Sequence, residues 1–273
     1  MPREAVLGID AAWTDRQPSG VALLRRDGSK WECLRVTPSY ASFCEGVNWE
    51  ERVSGGVADV PALLAVAQRV SGEAPLVVAV DMPLANTVIN ARRTADNAVS
   101  RAFGHCKCAV HSPTPARPGN TGRNLHAGFA GANYSLATQL GDSPPALLEV
   151  YPHVALLGLT GRDERLPYKV GKSNTYWCEI SIDQRKRRLV KEWDLILKHL
   201  GREIKGINLP LPDSLCEHSL SSLKRYEDAI DALVCAWVAT RYLDKTSVPL
   251  GDSSAAIWIP LTSMRFAKAT HGT

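Results

Sequence analysis

The chain has 273 residues, of which 45% are hydrophobic and 22% are charged. That composition is typical of a soluble globular protein with a sizeable core, and it excludes a disordered or fibrous chain. The 32 basic and 28 acidic residues leave a net charge of +4, which is too small to identify a nucleic-acid-binding protein by itself.

The cellular location of the protein is predicted from its lack of a membrane span and of an export signal, and from its cysteines. No apolar run approaches the roughly 20 residues that span a bilayer, and no charged segment followed by an apolar one opens the chain, so we expect no membrane span and no export signal. The seven cysteines are an odd number and are scattered. This pattern favours reduced thiols, and we predict a cytoplasmic protein.

The first predicted elements are three strands. Residues 5–10 form a short apolar run that fits a strand buried on both faces and ends on Asp10. A second strand is predicted at 20–24, and the Asp27-Gly28 pair after it is a hairpin signal. The third strand, at 31–36, should therefore return antiparallel to the second.

The same apolar pattern ending on a carboxylate then recurs. A helix predicted at 57–70 leads into the apolar strand 76–81, which ends on Asp81. A helical crossover makes two strands parallel, so Asp10 and Asp81 should meet at one sheet edge. Two carboxylates held that close need a metal ion or a shared proton between them. The alternative for Asp10 is that it caps the following turn.

The middle of the chain, at about 84–145, is predicted to be a long and mostly irregular insertion. Its segment 92–126 carries six basic residues and one acid, so it should form a basic patch. A short helix is possible at 91–103, whereas the prolines and glycines after Val110 predict loops. We expect one domain over 1–273, whose remaining elements are a strand at 146–151 that contains Glu149, helices at 182–200 and 226–243, and a strand at 256–260.

Two aspartates of the late helix, Asp228 and Asp231, are three residues apart and therefore share one helix face. Favourable interaction with the helix dipole near the predicted start at residue 226 explains Asp228. It explains Asp231 less well, because that residue begins the apolar interior of the helix. The sequence thus predicts a set of three or four acids gathered from distant segments.

The order of these motifs resembles the ribonuclease-H-like fold, particularly its Holliday-junction-resolvase branch, and more closely the predicted-nuclease family called domain of unknown function 429. The resemblance implies an α/β, ribonuclease-H-like mixed five-stranded sheet flanked by helices, with three antiparallel-connected strands followed by parallel strands. The segments that carry it are Gly8-Ile9-Asp10, Val80-Asp81-Met82-Pro83, Arg92 to Asp96, Glu149-Val150-Tyr151-Pro152, Asp228 to Trp237 and Ile257-Trp258-Ile259-Pro260.

Such an acid set permits hydrolysis of phosphodiester bonds by two Mg²⁺ or Mn²⁺ ions. On this hypothesis Asp10 bridges the metals, Asp81 holds one, and either Asp228 or Asp231 holds the other. Glu149 would be an additional ligand or would support one. Nucleic acid is then the expected partner, and the candidates for contacting its phosphates are Arg92, Arg93, Lys169 and Lys172.

Other functions remain open at this point. Cys106, Cys108 and His111 have ligand types suited to zinc, but no second ligand pair lies nearby, so we expect packed thiols instead. Actin-like ATPases and sugar kinases, which bind nucleotides and transfer phosphate, use a comparable sheet, but Ala11-Ala12-Trp13 replaces their glycine-rich turn after the first strand. A non-catalytic binding module is the third possibility, and the oligomeric state is not predicted.

Overall fold

The computed structural model describes residues 3–49 and 51–268, which form a mixed sheet of nine strands with helices on both faces. The strands are β1 (Glu4–Asp10), β2 (Gly20–Asp27), β3 (Lys30–Thr37), β4 (Pro75–Val80), β5 (Ser135–Leu136), β6 (Ala146–Val150), β7 (Ile204–Lys205), β8 (Ser247–Asp252) and β9 (Ala255–Pro260). The helices are α1 (Tyr40–Glu45), α2 (Val60–Ser71), α3 (Thr94–Phe103), α4 (Thr121–Gly131), α5 (Pro152–Thr160), α6 (Ser173–Tyr176), α7 (Ile182–Leu200), α8 (Leu220–Leu243) and α9 (Leu261–Met264).

The strand order is β7-β3-β2-β1-β4-β6-β9-β8, and β5 pairs with β6. The predicted hairpin is confirmed, since β2 pairs antiparallel with both β1 and β3. The predicted crossover is also confirmed, because β1 and β4 are parallel neighbours. The predicted number of five strands is wrong. The short strands β5 and β7 show no periodicity, and β8 contains Pro249 and Gly251, which are tolerated at this sheet edge.

Successive side chains of β1 point to opposite faces of the sheet and pack into two separate parts of the core. Val6 packs in a cluster with Trp237 of α8, on the face that also carries α5 and α7. Leu7 and Ile9 point the other way and pack with Leu63 of α2 and with α4. Because both faces are covered by helices, β1 is apolar and buried from Ala5 to Ile9, as its sequence predicted.

Two helices, α4 and α5, were not predicted from the sequence. Helix α4 lies within the stretch predicted as loops, so that prediction is wrong for these residues. Its three glycines lower its helix propensity, but Leu125 and Phe129, four apart, are both buried and anchor it to the core. Helix α5 begins at Pro152, whose fixed φ suits the first position of a helix. Helix α3 confirms the helix predicted at 91–103, although it starts at Thr94.

Helix α8 begins six residues before the predicted start. Ser219 caps it, accepting a hydrogen bond from the Ser222 amide at 3.0 Å. Asp228 and Asp231 therefore lie at least two turns inside the helix, whereas the dipole acts within about the first turn. The dipole explanation for Asp228 is thus wrong, and the burial of both aspartates needs another explanation.

Within the described residues, we find no helix with the length and apolar character needed to cross a bilayer.

Candidate functional site

A cleft of about 1310 Å³ opens at the carboxyl ends of β1 and β4. Asp10, Asp81 and Asp228 line it, and all three come from the sequence-predicted set. The Asp81 amide donates a hydrogen bond to the Ile9 carbonyl at 2.9 Å, and Ile9 pairs with Val80 in the ladder. The two strands consequently end level with one another, and each presents an aspartate to the cleft.

Two glycines allow α8 to lie directly against β1 and β2. A Cβ atom at Gly8 would stand 2.1 Å from the Ala232 carbonyl oxygen, and one at Gly20 would stand 2.1 Å from the Asp228 carbonyl oxygen. Any side chain at either position would push the helix away. This role was not predicted from the sequence, although a glycine inside an apolar strand is a known sign of close backbone approach. The contact brings the aspartates of α8 to Asp10.

Asp231 is fully buried and has protein partners on both carboxylate oxygens. The Tyr168 hydroxyl donates a hydrogen bond to Oδ1 at 2.6 Å, and the Lys169 ammonium forms an ion pair with Oδ2. Tyr168 itself is fully buried, and its carbonyl accepts a hydrogen bond from the Trp193 indole at 2.9 Å. Lys169 was predicted to contact substrate phosphate, and the structure places it among the carboxylates.

Glu227 is an acidic member of this cluster that was not predicted from the sequence. Its Oε2 accepts a hydrogen bond from the Val170 amide at 2.5 Å. Its Oε1 lies 3.1 Å from the Lys224 ammonium and 3.4 Å from that of Lys169. Burial opposes ionisation, but the two lysines outweigh it and lower the pKa of Glu227. Lys224 also forms an ion pair with Asp228, so each lysine links two carboxylates.

Asp10 and Asp81 differ from these acids, because no described residue donates a hydrogen bond or forms an ion pair with either carboxylate. Desolvation raises the pKa of Asp10 well above its usual value, and the charge of Asp231 adds to the effect. Desolvation likewise raises the pKa of Asp81 to about 7 and that of Asp228 to about 6. Five carboxyl groups share two lysines here, so ionisation of all five would leave more negative charge than the two lysines neutralise.

Glu149, predicted as a further catalytic acid, lies on the other face of the sheet. It alternates with Leu148 and Val150, which pack on the α8 side. Arg93 forms two hydrogen bonds with it, at 2.7 and 2.6 Å, and the Leu84 amide donates a third at 2.9 Å. The acid is buried and fully partnered, so its position indicates a role in stability.

The four predicted phosphate contacts are separated by the fold. Arg93 is committed to Glu149 and also to Asp96, at 2.7 Å. Arg92 donates to the Val110 carbonyl at 2.9 Å and to neighbouring side chains, so it fastens the start of α3 to the following loop. Only Lys169 and Lys172 reach the cleft. Two exposed arginines, which the prediction had not selected, also line it; they are Arg52 and Arg117.

The donor set fits one hard divalent cation better than two. Mg²⁺ typically binds one or two carboxylates and keeps several waters, and Asp10 and Asp81 are two unpartnered carboxylates side by side. Asp231 has both oxygens occupied, and Asp228 shares one with Lys224. Among the described residues, no group of three or more His, Cys, Asp or Glu side chains is arranged to hold a metal ion. Of the two alternatives for the second metal ligand, Asp231 therefore does not fit, and Asp228 would have to give up its Lys224 partner.

The thiols considered for zinc lie away from the cleft. Cys106 and Cys108 are buried in a cluster with Phe103 and Ile257, and the Cys108 thiol donates to the His153 carbonyl at 3.6 Å. Burial raises the pKa of the Cys108 thiol to about 12. That pKa disfavours the thiolate form that binds zinc.

Comparison with known proteins gives one match. A family model described as a protein of unknown function (DUF429) matches residues 8–254. No curated protein and no solved structure matches the chain.

Proposed function

This chain belongs to the DUF429 family of proteins of unknown function, and we propose that it is a metal-dependent nuclease that hydrolyses phosphodiester bonds in the cleft at Asp10 and Asp81. We propose further that its sheet is ribonuclease-H-like. The antiparallel β1–β3 hairpins followed by parallel β4 support this, as does the placement of acids at the ends of β1 and β4.

The observation that carries the proposal is a pair of carboxylates, Asp10 and Asp81, that have no partner from any described residue, in a cluster whose other acids have hydrogen-bond or ion-pair partners. Neighbouring Glu227 and Asp231 each have protein donors on both oxygens, whereas Asp10 and Asp81 have none among the described residues. Burial raises the pKa of Asp81 to about 7, and no described residue supplies a counterion to its carboxylate. A divalent cation would supply it, and when bound it would polarise a phosphoryl oxygen and acidify a bound water.

Cations at the cleft support a phosphate-bearing substrate. Lys172, Arg52 and Arg117 are exposed and line the cleft, and we find no hydrogen bond or ion pair to their side chains within the described part of the chain. Unpaired cations of this kind supply the sequence-independent part of nucleic-acid binding. Acids at the strand ends with cations around them fit an anionic polymer whose scissile group is brought to Asp10 and Asp81.

The direct test is cleavage of labelled nucleic acid by the purified full chain. Fluorophore-labelled single-stranded DNA, single-stranded RNA, duplex DNA and a four-way junction are incubated with Mg²⁺ or Mn²⁺, and parallel reactions contain EDTA. We expect cleavage of at least one substrate with either metal and none with EDTA.

A matched pair of variants tests the site. Asp10→Asn should abolish cleavage, because it removes one of the two free carboxylates. Asp194→Asn makes the same change on the exposed surface of α7 and should cleave as the wild type does. Absence of cleavage on all four substrates, or equal cleavage by Asp10→Asn and wild type, would contradict the proposal.

A further inference from the structure

The sequence left Asp228 and Asp231 as alternative ligands of a second metal, but Tyr168 and Lys169 occupy both oxygens of Asp231, and Lys224 pairs with Asp228. We infer, on the basis of the proposed function, that the cleft binds one divalent cation at Asp10 and Asp81. The Lys169 ammonium occupies the position that a second divalent cation would take. Asp231 and Glu227 are then positioning residues that hold this ammonium, and neither is a metal ligand.

Lys169 is fixed in the cluster from several directions. Its ammonium forms an ion pair with Asp231 and lies 3.4 Å from Glu227, and it stands 5.2 Å from the centre of the Tyr168 ring. The residue after it is also anchored, since the Val170 amide donates to Glu227 at 2.5 Å. The Lys169 side chain is 18% exposed. Its charge is therefore a permanent part of the site.

The residues beside Lys169 strengthen this constraint. Tyr168 is fully buried, and its hydroxyl donates to Asp231 at 2.6 Å while its carbonyl accepts from the Trp193 indole. Segment 168–170 is thus bound to α8 through two acids and to α7 through one tryptophan. Releasing Lys169 would leave Asp231 buried with an uncompensated charge, which is strongly unfavourable. A metal ion cannot reach Asp231 while this arrangement persists.

Lys224 provides the contrast within the same cluster. Its ion pairs are with Glu227 and Asp228, three and four residues along its own helix, and its side chain is 43% exposed. Both acids are buried, but Lys224 itself reaches them from solvent, so water can hydrate its ammonium when the contact opens. Lys224 is therefore replaced by water on Asp228 more readily than Lys169 is on Asp231, because Lys169 is more buried and its segment is also held through Tyr168.

The test is the number of Mn²⁺ ions bound per chain, measured on the full-length protein by electron paramagnetic resonance of free Mn²⁺ during titration. Wild type should bind about one ion. Lys169→Met frees Asp231 and Glu227 and should bind about two, whereas the matched variant Lys224→Met should still bind about one. Asp231→Asn should also keep about one ion, because in this assignment Asp231 is not a ligand, and Asp10→Asn should lose it.

Two ions bound by the wild type, or loss of Mn²⁺ from a folded Asp231→Asn variant, would overturn the inference, as would the absence of Mn²⁺ binding. If Lys169→Met does not fold, as judged by circular dichroism, the wild-type and Asp231→Asn stoichiometries decide. The outcome is separable from that of the nuclease assay. One ion without cleavage leaves this assignment standing and removes the nuclease, and two ions with cleavage do the reverse.

Discussion

Gly8 packs directly against the backbone of α8, and Gly8→Ala tests whether this contact positions the acids. The new Cβ would lie 2.1 Å from the Ala232 carbonyl oxygen, 2.3 Å from the Ala236 amide nitrogen and 2.7 Å from its Cβ. Carbon atoms in good contact are about 3.5 Å or more apart. The two nearest atoms belong to helix backbone, which cannot rotate aside, so α8 would have to move outward by about 1 Å.

Overpacking of this kind typically costs about 1–3 kcal/mol. We expect about 3 kcal/mol here, because α8 is buried against the sheet over most of its length and cannot relax locally. The melting temperature should then fall by about 6 °C or more in scanning calorimetry, with a matching loss in urea. Cleavage should also fall, since Asp228 moves away from Asp10.

The matched control is Gly131→Ala, at the end of α4. No atom lies within 4 Å of a Cβ built at Gly131, and its φ is an ordinary one. This change should alter stability by less than about 1 kcal/mol, in the stabilising direction, because alanine favours helices. A Gly8→Ala protein as stable as wild type would refute the close packing of α8 on β1.

Three further predictions concern individual polar groups. The pKa of Asp81 is raised from 3.8 to about 7, so its protonation stabilises the folded state; that stabilisation is complete below the unfolded pKa and is lost as the pH rises to about 7. Asp81→Asn should therefore raise the melting temperature at pH 8 and change it little at pH 4, and equal shifts at both pH values would contradict the assignment. Glu149→Gln leaves Arg93 without half of its buried ion pairing, and urea denaturation at pH 7 should show a loss of about 3 kcal/mol. An unchanged free energy of unfolding would show that the pair is dispensable. Tyr168→Phe removes the hydroxyl that donates to Asp231 and should cost about 2 kcal/mol in the same measurement, whereas a loss below about 0.5 kcal/mol would argue against that hydrogen bond.

Local sequence patterns were enough to predict the framework of the site. The apolar runs ending on Asp10 and Asp81, the hairpin signal at Asp27-Gly28 and the helical crossover together predicted two parallel neighbours with acids at one edge. The spacing of Asp228 and Asp231 predicted a shared helix face. These inferences succeed because strand and helix periodicity depend on residues close in sequence.

The limits of each element were harder to predict. The start of α8 was placed at residue 226, because the segment before it lacks apolar periodicity, and the capping serine at 219 was overlooked. Strands β5 and β7, with two residues each, exist only through pairing with longer neighbours. Short elements like these carry too few residues to show a period, so only tertiary pairing defines them.

Which acids are free to act was decided by the tertiary structure alone. Asp228 and Asp231 are equally plausible ligands in the sequence, yet Tyr168 and Lys169, more than 60 residues earlier, occupy both oxygens of Asp231. Arg93 similarly reaches across 56 residues to Glu149 and removes both from the cleft. The sequence by itself determined that acids would gather at the ends of β1 and β4, because that follows from local pattern and chain crossover. Their partners depend on contacts between distant segments, which no local pattern encodes.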